Sequence, residues 1–226
     1  MSAHFQRQIT NLKQTILALG AQVEQAVQRA IEAVHERDPD LAQRVIDGDE
    51  QIDMLEVDLE EECLHTLALH QPVAFDLRYV IAVLKINNEL ERIGDLAVNI
   101  AQQAMFLAEQ AQPPHTFDMQ AMSGLVRRMV KQSLDALVNI DPALAERVRE
   151  QDDEVDAIHR AMYQKVEAAI AADVAHTEQY IHMLSVSRNL ERMADHAVNV
   201  AEDVVYMARG EILRHTPKPD ASEKPK

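Results

Sequence analysis

The chain has 226 residues and a formal net charge of −16, with a pI near 4.9. Such a surface repels nucleic acids and anionic lipid headgroups, which need a basic footprint, and suits a basic protein partner or bound cations. Hydrophobic residues make up 47%, yet Trp is absent, aromatics are 4% and Gly occurs five times, so Ala, Leu, Val, Ile and Met must build the core of a largely helical protein.

From Phe5, apolar residues recur at Ile9, Leu12, Ile16, Leu19, Val23, Ala26, Ala30 and Ala33. This heptad-like stripe predicts one long helix ending near Arg37. Asp38-Pro39 then supplies an N-cap and a proline at the first helical position, where a missing N–H costs nothing. The second helix carries Leu41, Val45, Ile52, Leu55 and Leu59 and runs to about His70; Pro72 opens a third that continues to about Gln110. Residues 111–117, with Gln112-Pro113-Pro114-His115-Thr116, form the one clear linker.

The second half repeats the plan. Met119, Met122, Val126, Met129, Ala136 and Ile140 mark a fourth helix, and Asp141-Pro142 restarts the chain as Asp38-Pro39 did. Leu144, Val148, Val155, Ile158 and Met162 line a fifth, and a sixth begins between 174 and 178 and ends near Gly210. All eight prolines lie at these boundaries or in residues 215–226, a charged, aperiodic stretch expected to be a disordered tail. The expectation is all-α: two tandem three-helix bundles, residues 1–110 and 118–214, with short connections that make neighbouring helices antiparallel.

The halves also share polar identities. Leu90-Glu91-Arg92-Ile93-Gly94-Asp95-Leu96-Ala97-Val98-Asn99 returns as Leu190-Glu191-Arg192-Met193-Ala194-Asp195-His196-Ala197-Val198-Asn199. A second acidic pair, Asp49 and Asp53, returns as Asp152 and Asp156 at an offset of 103, the offset that also relates Asp38-Pro39 to Asp141-Pro142. A helical rise of about 1.5 Å per residue sets Asp49 and Asp53 level with Asp95 and Glu91, if the second and third helices fold back near residue 71. The same construction sets Asp152 and Asp156 level with Asp195 and Glu191. Glu91 and Asp95 point away from their own apolar stripe, so four carboxylates can meet only on a shared outer surface.

If they meet, each pair of like charges costs roughly 0.7 kcal/mol at about 6 Å and water-like screening. Hard or borderline metal ions would compensate that cost with oxygen-only ligands, Asn99 and Asn199 serving as outer contributors. Arg92 and Arg192, on an ordinary solvated face, are the competing explanation. Glu62-Cys63-Leu64-His65 has the Glu-x-x-His spacing of carboxylate-bridged di-iron enzymes, but the second half has no equivalent. His65, His159 and His196 read most simply as surface or boundary residues, with ligation as the alternative. No Walker A motif or glycine-rich phosphate cradle occurs.

Cys63 is the only cysteine, so no internal disulfide forms, and a buried thiol in a reducing compartment is expected. Gln6, Arg7, Gln8 and Lys13 interrupt any signal-peptide core, and the apolar run from Tyr79 to Leu84 is too short to span a bilayer. The expected location is the cytoplasm.

The duplicated Leu-Glu-Arg-x-x-Asp-x-x-x-Asn signature, the paired acidic motifs and Gln71-Pro72-Val73-Ala74-Phe75-Asp76-Leu77-Arg78 together resemble the PhoU family of bacterial phosphate-uptake regulators over nearly the whole chain apart from the tail. The resemblance implies two similar three-helix bundles in a cytoplasmic, often homodimeric protein. It implies multinuclear clusters of iron, zinc, manganese or magnesium at Asp49, Asp53, Glu91 and Asp95, and at Asp152, Asp156, Glu191 and Asp195. It further implies a non-catalytic adaptor that restrains the phosphate-starvation response by working between the Pst phosphate transporter and the PhoR sensor kinase. Ala194 and His196, in place of Gly94 and Leu96, are departures expected to alter the second site. The competing readings are a carboxylate-bridged metal enzyme of oxidase type and a purely structural helical scaffold.

Overall fold

The computed structural model describes residues 3–213. Six α-helices follow one another: α1 (Ala3–Glu36), α2 (Pro39–His70), α3 (Ala74–Glu109), α4 (Gln120–Asn139), α5 (Pro142–Ala172) and α6 (Thr177–Arg209), with a 3-10 turn over Val174–His176 ahead of α6. No strand occurs among the described residues. The all-α architecture expected from the periodicity is the one observed. Residue 214 and the expected disordered tail over 215–226 lie outside the described residues.

The same device closes α1 and α4 and opens the helix that follows. Arg37 and Ile140 take left-handed backbone with φ of 54° and 50°, which ends a helix by turning the chain out of register. Asp38 then accepts from the Leu41 N–H at 3.0 Å, and Asp141 accepts from the Ala143 and Leu144 N–H groups at 2.9 and 3.1 Å. Pro39 and Pro142 follow as the first helical residues. Substituting such a cap with Ala costs about 1 kcal/mol.

Three boundaries differ from the sequence expectation. Pro72 does not start α3: Gln71 closes α2 in left-handed backbone, and the helix begins two residues later at Ala74. A proline just past a C-cap blocks continuation of the old helix instead of starting the new one. Met119 and Ile140 flank α4 and are not part of it; both keep the apolar period because they pack against the core from the capping turns.

The larger finding is that the two bundles are fused lengthwise. α3 and α6 share the most extensive helix–helix contact in the molecule, and α1 also packs on α4. One continuous apolar core runs through both halves. Ala97, Ala101 and Ala104 on α3, with Ala194, Ala197 and Ala201 on α6, are fully buried, and small residues let helix axes approach closely. Around them Leu90, Ile93, Ile100, Leu190, Met193 and Val200 are removed from water, each worth about 1.5–3 kcal/mol.

Polar contacts fix the register of this junction. Lys85 Nζ lies 3.0 Å from Asp203 Oδ1, whose residue is 2% exposed. His196 Nδ1 lies 2.7 Å from Glu89 Oε2, and Asn199 Nδ2 donates to the same oxygen at 3.0 Å. Arg37 donates to the carbonyls of Leu107 and Gln110, tying the end of α1 to the end of α3.

Candidate metal centre

In each half two antiparallel helices bring the repeated acids to one groove, in the levels expected from their rise. In the first half the helices pack closely at Gly94, where a Cβ would stand 3.3 Å from Ile52 Cδ1 and Cγ2 and 3.7 Å from Asp49 Oδ1. A side chain at position 94 would need Ile52 to shift by a few tenths of an ångström. Asp49 and Asp53 line the α2 side, and Glu91 and Asp95 line the α3 side. Asp49 and Glu91 are half-buried, while Asp53 and Asp95 are exposed. The groove opens to solvent, so the acids lie outside the bundle interior.

Burial and neighbouring charges act on Asp49, Glu91, Glu191 and Asp195. Burial and then the charges of Asp53 and Asp95 push the Asp49 carboxyl above its ordinary range. Glu91 is raised by burial, then by Asp95, Glu56 and Asp53, with Arg92 opposing. In the second half Glu191 is raised by burial, Asp156 and Asp152, against Arg188 and Arg192. Asp195 is pushed up to about 6 by burial, Glu191, Asp152 and Asp156, with His196 opposing. Burial and like-charge neighbours thus disfavour the ionised forms of these four carboxyls.

The eight acids expected as ligands thus fall into two groups, as the repeat required. As positioned, no three His, Cys, Asp or Glu side chains among the described residues form a closed metal-binding set. Each group is an open oxygen-rich groove. Its all-oxygen donor chemistry is the kind that suits hard or borderline cations.

The histidines divide sharply. His65 borders a separate cavity of about 130 Å³ with Gln8, Asn11, Glu62 and Thr66. His196 is committed to Glu89 across the α3–α6 junction. Asn199, expected as an outer contributor to the acidic site, is likewise engaged with Glu89. His159 is different: it sits one turn beyond Asp156 and lies 2.9 Å through Nδ1 from the Ser187 hydroxyl. Burial lowers its pKa, with Arg188 acting in the same direction and Asp156 against it.

One turn beyond Asp53, Glu56 meets Asn87 of α3. Asn87, fully buried, donates through Nδ2 to the Glu56 carbonyl at 2.8 Å and to Glu56 Oε1 at 3.3 Å. The offsets that align the acidic pairs also align Glu56 with His159 and Asn87 with Ser187. The residue types differ, so a search for repeated identities passes over them.

The departure at Ala194 also has a physical account. Opposite Gly94 stands Ile52; the repeat places Val155, one methylene smaller, at the position equivalent to Ile52. The methyl added at 194 is matched by a carbon removed at 155, which preserves the space between the helices.

Comparison with known proteins agrees with this architecture. The PhoU domain family model matches residues 16–104 and again 119–204. The phosphate-specific transport system accessory protein PhoU homolog of Aquifex aeolicus is 37% identical over 209 residues, covering 92% of this chain and 95% of that protein. The corresponding accessory protein PhoU of Escherichia coli strain K12 is 31% identical over 95% of this chain and 89% of its own. The crystal structure of PhoU from Pseudomonas aeruginosa superposes with a TM-score of 0.89 at 34% identity, covering 92% of this chain and all of that one. That of the phosphate transport system regulatory protein PhoU from Streptococcus pneumoniae gives 0.84 at 26% identity, covering 92% and 98%. With two matched domains that coincide with the two helical bundles, this chain belongs to the PhoU family.

Proposed function

We propose that this protein is an accessory regulator of phosphate-specific transport that restrains the phosphate-starvation response as a non-catalytic adaptor. Its partners on this reading are cytoplasmic regions of the Pst transporter and of the PhoR sensor kinase, reached by a homodimer from the cytoplasmic side. The observation that carries the reading is the similarity over 92–95% of the chain to accessory proteins of the phosphate-specific transport system. No helix among the described residues is long and apolar enough to cross a membrane. Approach to a membrane transporter would then be through its soluble domains.

Metal ions would be held in the first half by Asp49, Asp53, Glu91 and Asp95, and in the second by Asp152, Asp156, Glu191 and Asp195. A bound cation supplies charge neutralisation at a surface that otherwise carries net charge −16. The carboxylates set how much negative charge a basic partner meets, and so the rate of its capture. The open groove argues against the oxidase alternative, which needs acids inside a water-excluded bundle.

Deleting the gene should derepress phosphate-starvation genes in abundant phosphate. Purified protein should bind the transporter or kinase domains at low salt, with capture slowing as salt is raised. Normal repression in the deletion strain, with no binding to either partner at low salt, rejects the adaptor.

A further inference from the structure

We infer that the outer face of α2 is the docking strip for a basic amphipathic helix of a protein partner, a helix with an apolar ridge flanked by Lys or Arg. The inference rests on the adaptor reading above and deepens it, by giving the face that meets the partner and the chemistry of the contact.

α2 is apolar on two sides. Leu41, Val45, Ile52, Leu59 and Cys63 are buried against the bundle. On the opposite side Glu50, Met54, Val57, Glu61, Leu64 and Ala68 are all exposed, and Met54, Val57 and Leu64 each keep more than half of their surface in water. These six residues alternate at steps of four and three, the repeat that keeps one seam facing a second helix along its length. A single exposed leucine needs no explanation. Three large apolar side chains on one seam make a strip that nothing covers among the described residues.

The charge around the strip selects its occupant. Residues 47–62 hold nine Asp and Glu, and no Lys or Arg occurs between Arg44 and Arg78. At about 100° per residue, Asp53 and Glu60 border the seam on one side and Asp58 on the other, with Glu50 and Glu61 inside it. Asp49–Asp53, Glu56–Glu60 and Asp58–Glu62 are like charges four residues apart, an arrangement that weakens a helix taken by itself. A second copy set on this strip by a two-fold axis would put acids against acids, and an anionic membrane surface is repelled in the same way. A helix with cations beside an apolar ridge satisfies both features. The ridge covers Met54, Val57 and Leu64, and the cations meet the acids on either side.

The second half is an internal control. The offset of 103 sets Asp153, Ala157, Arg160, Gln164, Glu167 and Ala171 at the positions of the six seam residues. No large apolar side chain remains there, and Arg160 lies 3.4 Å from Asp156 Oδ2. α5 therefore offers neither a surface for the ridge nor the same uncompensated charge.

The test uses the full chain. A labelled peptide of three heptads, with Leu at a and d and Lys at e and g, is titrated by fluorescence anisotropy. Its controls are a scrambled peptide of the same composition and a peptide with Glu at e and g. The heptad peptide should bind about tenfold more tightly than either control. Met54→Gln/Val57→Gln/Leu64→Gln, in which Gln keeps helix propensity, should weaken it about tenfold. The equivalent change on α5, Ala157→Gln/Arg160→Gln/Glu167→Gln, should leave it unchanged, and circular dichroism should show intact helices in every variant. The transporter and kinase cytoplasmic domains are then titrated with the parent and the α2 variant, and the variant should lose affinity for them to a similar degree. Equal affinity for the heptad and scrambled peptides, or for the heptad peptide in parent and α2 variant, overturns the inference. Domain binding retained in full by the α2 variant also overturns it, while leaving the adaptor standing. A homodimer that dissociates in the α2 variant by sedimentation overturns it by making a second copy the occupant. Tight binding of the heptad peptide on α2, with no binding of either domain by the parent, upholds the strip and overturns the adaptor reading.

Discussion

The two halves are built to one plan and differ at their acidic faces, at the solvent surface and inside the bundles. The first group holds Asp49, Asp53, Glu91 and Asp95, and the Arg92 guanidinium opposes the rise at Glu91. The second keeps four acids but adds His159, Arg160 and Arg188. Inside the bundles the contrast recurs: half-buried Ile46 and exposed Gln102 of the first half correspond to Arg149 and Glu202 of the second, which pair at 3.2 Å with side chains 9% and 13% exposed. On the surface, Met54, Val57 and Leu64 of α2 are exposed, while their counterparts on α5 are Ala157, Arg160 and Glu167. Duplication has preserved helix spacing and the four acidic positions. It has let the surrounding charge diverge, because that charge is not needed to close the core.

The sharpest way to break this comparison is to remove one acidic groove at a time. Glu91→Ala with Asp95→Ala should abolish metal binding in the first half only, and Glu191→Ala with Asp195→Ala in the second only. All four residues are half-buried or exposed and lie off the apolar stripe, so circular dichroism should show retained helix. Metal stoichiometry unchanged in both variants would remove the assignment.

The next effect is on stability. Arg149→Met leaves the Glu202 carboxylate without its cation in a largely buried setting, for a loss of roughly 3 kcal/mol. The equivalent change in the first half, Ile46→Met, conserves volume and should cost less than about 1.5 kcal/mol. Denaturant titration of the two variants measures the contrast, and equal losses would show that the ion pair adds nothing over apolar packing.

A smaller effect is the pH dependence of the second groove. Asp195 has its carboxyl raised from 3.8 to about 6 in the folded protein. A raised folded pKa contributes stability that is present below the unfolded value and is lost as pH rises through about 6. Metal-free protein should therefore melt at a higher temperature at pH 5 than at pH 7 insofar as Asp195 controls the transition. Asp195→Asn should flatten that slope, by no more than about 1 kcal/mol because the side chain is exposed to solvent screening. Zn²⁺ affinity should change the opposite way, falling as pH drops through 6, since the ion competes with the proton. A melting temperature with the same pH slope in the parent and Asp195→Asn would contradict this.

The smallest effect tests the compensated pair. Gly94→Ala gains about 1 kcal/mol in helix propensity but sets a Cβ 3.3 Å from Ile52, so the single change should be near neutral or mildly destabilising. Adding Ile52→Val reproduces Val155 with Ala194 and should recover stability, with a favourable coupling of about 0.5 kcal/mol or more in the double-mutant cycle. Strict additivity would mean that the two helices have room to spare.

Much of this was legible in the chain, because helices are local. The apolar periods of α1 to α6, the Asp-Pro starts at Asp38 and Asp141 and the offset of 103 between acidic pairs depend only on residues a few positions apart or on simple counting. The levels of Asp49 against Gly94 and Asp95 followed from helical rise once the turn near Gln71 was placed. Identity between repeats flagged the acids, but it also flagged Asn199, whose role is at the α3–α6 junction with Glu89. It passed over the Glu56–Asn87 and His159–Ser187 contacts, whose equivalence is positional and not chemical. Which faces of α3 and α6 fuse the two bundles, which histidine lies beside the acids, and which buried group holds each of them depend on contacts between residues 28 to 118 positions apart. Those contacts form only when the separate apolar stripes pack into one core, so residue spacing determined the helices and the levels of the acids, and tertiary packing alone decided which other side chains meet across the helices.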